Sequence, residues 1–95
     1  MTRNEALKIA FEYLQRRNRS YSRLTENRVQ FIENNEIAHG KLRGENRDVW
    51  IVNYEEEGAM YPYMYFISID AKTGKVLFTM SRHGYVEDME EEGFE

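Results

Sequence analysis

Near the start of the chain apolar residues recur every three or four positions. Ala6, Leu7, Ala10, Phe11 and Leu14, flanked by Ile9 and Tyr13, form a wide stripe on a helix from about residue 3 to 17. Thr2 stands three residues before Glu5, the spacing of a capping box in which hydroxyl and carboxylate each satisfy a backbone N–H at the helix start; Asn4 is a competing cap. A stripe this wide has to cover another surface. We expect Leu7, Phe11 and Leu14 to be buried against Trp50, Val52, Ile67 or Ile69. Arg16, Arg17 and Arg19 gather where positive charge suits the C-terminal end of a helix, before Asn18 and Ser20 loosen the chain.

After a polar stretch to Asn27 the period changes to two. Val29 and Phe31 alternate with Gln30 and Ile32, and Asn34-Asn35, which tolerate positive φ, suggest a hairpin before a short strand at Ile37-Ala38-His39. Residues 41 to 47 read as a loop or a ragged edge strand. Asp48 to Tyr54 is β-branched and aromatic, a central strand with Trp50, Val52 and Tyr54 on one face and Val49 and Ile51 on the other. Glu55 to Gly58 ends it. Tyr63 to Asp70 is the next strand, with Tyr63, Tyr65, Ile67 and Ile69 on one side. A tight turn from Asp70 to Gly74 leads to a returning strand, Lys75 to Met80, with Val76, Phe78 and Met80 against Leu77 and Thr79. These elements predict an α+β roll, one N-terminal helix packed on an antiparallel sheet of about four strands.

Three blocks resemble a known family. The opening R-x-E-A-L-K-I-A-x-E-Y-L (Arg3 to Leu14), the W-x-V-x-Y of Trp50, Val52 and Tyr54, and I-x-I-D-A-K-T-G-K-V-L (Ile67 to Leu77) look like the PepSY domain. Together they spread over most of the chain up to about Thr79. The resemblance implies a cystatin-like helix-on-sheet module that inhibits or chaperones a peptidase, or otherwise binds proteins, without catalysis. A similar plan occurs among small immunity proteins that neutralise polymorphic bacterial toxins.

Composition narrows the possibilities further. A chain of 95 residues forms one domain, burying roughly 60–65% of the surface its unfolded form exposes. The absence of cysteine excludes disulfides, zinc–cysteine sites, Fe–S clusters and thiol nucleophiles. There is no run of 18 apolar residues, and the polar start lacks the core of a secretory signal, so a soluble cytoplasmic protein is expected. The net charge of −4 is uneven. Six of the 17 acidic residues fall in segment 87–95, and without them 13 basic and 11 acidic residues leave +2. The expected domain is therefore 1–86. Segment 87–95 is expected to be a disordered acidic tail, whose role is solubility or partner binding, including mimicry of phosphates in an immunity protein.

Catalytic chemistry is sparse. His39 and His83 fall on different elements and lack metal-ligand spacing, so neither a metal nor a cofactor is expected. Ser68 and Ser81 have no nucleophile elbow, and Gly74-Lys75 sits in a hairpin rather than a phosphate loop. The expectation is no enzyme and no identified small-molecule substrate, with a small ligand-binding or catalytic domain as the least favoured class. Two features suit binding. Tyr61, Met64 and Phe66 belong to an aromatic run, part of which must point away from the helix, where it would meet a protein partner or a second subunit. The basic residues Arg16, Arg17 and Arg19, with Arg23 and Arg28 near, could meet an acidic protein; overall acidity argues against nucleic acid.

Overall fold

The helix begins as its capping pattern dictates. In the computed structural model, which describes residues 1–22, 24, 26–83 and 86–88, the Thr2 hydroxyl accepts from the Glu5 N–H and the Glu5 carboxylate accepts from the Thr2 N–H, at 3.2 and 2.8 Å. These bonds hold the Glu5 carboxyl below its ordinary pKa. Helix α1 runs Arg3–Arg16. It ends in a Schellman motif: Asn18 takes φ +54°, its N–H donates to the Gln15 carbonyl, and the Arg19 N–H donates to the Leu14 carbonyl. Asn18 therefore sets the direction of the chain that the sequence reading left loose.

The strands are β1 (Val29–Glu36), β2 (Asn46–Glu56), β3 (Tyr63–Asp70), β4 (Val76–Ser81) and β5 (Val86–Asp88), with a 3-10 turn at Glu26–Arg28 before β1. All pairs are antiparallel, in the order β1-β2-β3-β4-β5. The α+β plan of an N-terminal helix on an antiparallel sheet is thus present, with a three-residue fifth strand added. Glu87 and Asp88, expected in the tail, belong to β5, which is too short to announce itself by alternation. Residues 89–95 and Arg23 lie outside the described residues.

Helix and sheet meet differently from the expected stripe. Ala6, Ala10, Tyr13 and Leu14 are the buried positions of α1, while Leu7, Ile9 and Phe11 pack at its flanks. Alanine at the centre lets the helix backbone approach the sheet, so the larger side chains are displaced sideways. Phe11 then lies against Tyr21, ring centroids 5.6 Å apart. Leu14 is buried in one cluster with Trp50, Val52, Ile67 and Ile69, as expected. Tyr13 extends the contact across the sheet, its hydroxyl 2.7 Å from that of Thr79 on β4.

Two bulges correct the expected strand pattern. Asn34, at φ +49°, inserts an extra residue into β1 opposite Asp48, whose carboxylate accepts from the Asn34 N–H at 2.9 Å. The asparagine pair therefore bends a continuing strand instead of closing a hairpin. The reversal comes later, where Ile37 and Glu45 bond across the loop, and Ile37 to His39 is not a strand. A second irregularity opposite Ser68 and Ile69 places Val76 in the helix-side core and Phe78 on the other face, although both were expected on one side. Behind the sheet, Ile37 and Leu42 of the loop fold over Val49, Phe78 and Leu77 as a second, smaller core.

Candidate functional site

The turn between β2 and β3 carries the most exposed apolar groups of the described residues. Met60 is 92% exposed, Tyr61 62% and Tyr63 48%. A segment bounded by Gly58 and Pro62 cannot continue either strand, so its large side chains stand out from the end of the sheet. The turn is nevertheless tight. A methyl group at Gly58 would come within 2.3 Å of the Tyr61 carbonyl oxygen and 2.7 Å of the Tyr63 ring. The rings of Tyr61 and Tyr63 meet edge to face at 5.9 Å. Beside them a shallow cavity of about 270 Å³ continues over Met64 and Tyr65 to Ser81, Arg82 and His83. The Arg82 N–H donates to the Met64 carbonyl, fixing this corner to β3.

Beneath the tip the packing is firm. Tyr54 and Tyr65 stack at 5.1 Å. The Schellman turn delivers Arg19 onto them, its Nε donating to the Tyr54 hydroxyl at 3.0 Å and its guanidinium lying 5.3 Å from the centre of the Tyr65 ring. Burial pushes the Tyr54 hydroxyl up to about 12, against the opposing pull of Arg19. Burial acts to lower the Arg19 pKa, yet Tyr54, together with Tyr13 and Tyr65, more than offsets it and the pKa is raised.

The sequence-derived candidates separate accordingly. Tyr61 is exposed at the tip, while Met64 and Phe66 are half-buried on the face away from the helix. There Asn53, Phe66, Met80 and Val86 lie side by side across four strands. The basic residues do not form one patch. Arg16 is exposed over the Tyr13 ring at 6.0 Å, Arg17 is half-buried, Arg19 faces inward, and Arg28 pairs with Glu55 at 3.6 Å. Met60, Tyr63, Arg82 and His83 were missed. Met60 could have been found, because a methionine between glycine and proline in a turn has no strand face on which to hide.

The opposite end of the sheet is closed by polar pairing. Asp70, 1% exposed, accepts from Arg47 at 2.8 Å and from the Lys72 N–H at 2.9 Å. Gly74, at φ +75°, lets the turn bond back to the Asp70 carbonyl. His39 meets the Phe78 ring edge-on at 5.2 Å, far in sequence from His83, and among the described residues no three His, Asp or Glu side chains are placed to hold a metal ion. No described helix is long and apolar enough to cross a membrane. Compared with protein-family models, with curated proteins and with solved structures, the chain matches none.

Proposed function

We propose that this chain is a non-catalytic protein-binding module of PepSY-like type that inhibits or accompanies a partner by covering part of its surface. One observation carries the reading: Met60, Tyr61 and Tyr63 stand exposed at a closed turn, and the cavity beside them continues over the half-buried Met64, on the face that also carries Phe66. Exposed aromatic and methionine side chains on a rigid support favour protein contacts, because little conformational freedom is lost on binding. The PepSY-like blocks add support, since they fall on α1, on β2 and on the β3–β4 hairpin, the elements of a helix-on-sheet module.

The test is photocrosslinking in cells that express the chain, with a photoreactive phenylalanine analogue at Tyr61 and, as control, at Lys72 on the opposite end. A discrete protein adduct from position 61 and none from 72 is the expected result. Its identity separates a peptidase from a toxin, the partner an immunity protein would have. Met64→Asp with Phe66→Asp should abolish the adduct while the circular dichroism spectrum stays native. Equal labelling from both positions overturns the reading.

A further inference from the structure

The charges around the tip are arranged in order. On the β2 side Glu56 and Glu57 flank a small cavity walled by Ser20, Tyr21 and Ser22. The aromatic tip stands in the middle. On the β4 side Arg82 and His83 are exposed beside Tyr63. Among the described residues Glu56, Glu57 and Arg82 make no ion pair, whereas neighbouring Glu55 is engaged by Arg28. The end of the sheet therefore runs from acidic through aromatic to basic over the width of three strands, a span of about 10 Å.

Such a surface is complementary to itself. We propose that the Tyr61 end binds a second copy of this chain, as an isologous dimer. A two-fold axis in the contact plane, crossing the acid-to-base line at Tyr61, lays Glu56 and Glu57 of each copy against Arg82 of the other and brings the two aromatic tips together. The apolar tips supply the attraction; the rim charges set the orientation and weaken with salt. An axis parallel to that line would place acid on acid, so the charges select one of the two arrangements. The inference rests on the reading of this end as a protein-contact surface and names its occupant.

Sedimentation velocity of the full chain over a concentration series tests it. The wild type should dimerise reversibly, less so as salt rises from 0.05 to 0.5 M, with Tyr61→Ser raising Kd at least tenfold. Arg82→Glu and the double variant Glu56→Arg with Glu57→Arg should each stay monomeric and keep a native circular dichroism spectrum, since Arg82 and Glu57 are exposed and Glu56 is half-exposed. Mixed in equal amounts they should form a dimer, because both contacts of the two-fold are then opposite in charge. A wild type that remains monomeric to about millimolar concentration overturns the second copy. A dimer unaffected by these charge variants, with no gain on mixing, also overturns it by placing the contact elsewhere. Either result leaves a heterologous adduct at position 61 as a separate outcome, whereas absence of any adduct there removes the contact surface itself.

Discussion

The two ends of the sheet use similar residue types for opposite purposes. At the Asp70 end the buried carboxylate and its neighbours are satisfied within the chain: Arg47 bridges Asp70 and Glu45 at 2.8 and 3.0 Å, and Asp48 accepts the amide that the β1 bulge frees. At the Tyr61 end the charges face outward around exposed rings, above a base formed by Arg19, Tyr54 and Tyr65. A buried carboxylate is tolerated only with its partners, so the Asp70 end contributes to stability. Exposed aromatics add little to the fold, which leaves the Tyr61 end free for recognition.

The sharpest way to break this contrast is Asp70→Ala. Removing the carboxylate leaves Arg47 without its buried partner and the turn amide of Lys72 without its acceptor, a loss of about 3 kcal/mol. Denaturant unfolding should register it, whereas Tyr61→Ser should shift stability by less than about 0.5 kcal/mol. Comparable losses at the two ends would abolish the distinction.

A second experiment asks whether the base of the contact end is as firmly paired as the Asp70 end. Tyr54→Phe removes the acceptor of Arg19 and should cost about 2 kcal/mol at neutral pH. Alkali adds an independent signature. Because the folded-state pKa of Tyr54 is raised from 10 to about 12, the unfolded chain loses this proton first, and the associated stability is full below pH 10 and falls as pH rises towards 12. Unfolding free energies measured at intervals from pH 8 to 12 should therefore converge for wild type and variant. Parallel curves would mean that Tyr54 titrates normally.

How much of this was legible in the sequence depends on what fixes each feature. The capping box, the central strand and the Asp70–Gly74 turn follow from local chemistry and stand where their residues place them. The helix-facing stripe was displaced because periodicity ranks residues by hydrophobicity, while close approach to a sheet is decided by size, favouring Ala6 and Ala10 over Phe11. Asn34 carried the right backbone preference and the wrong consequence: positive φ suits a bulge as well as a hairpin, and only pairing with Asp48 selects between them. The candidate site was half visible. Tyr61 stood out by composition, but its grouping with Arg82 and His83 depends on strand register, and Arg19's turn inward depends on the left-handed Asn18.

A smaller loss than those at Asp70 and Tyr54 is expected from the turn that presents the tip. Gly58 has no unusual φ requirement; its constraint is space, since a β-carbon would collide with the backbone oxygen of Tyr61 and the ring of Tyr63. Gly58→Ala must therefore open the turn or shift the ring, at a cost of about 1 kcal/mol, well below that of Asp70→Ala. Its effect on association should be out of proportion to that cost, because Met60 and Tyr61 would lose the fixed geometry that makes their contacts inexpensive. Crosslinking yield at position 61 and the sedimentation Kd are the measurements, with Gly58→Ser as a second variant imposing the same steric demand. If both variants lose stability yet associate like wild type, the tip acts as a flexible apolar tether, and the rigidity assigned to this end is wrong.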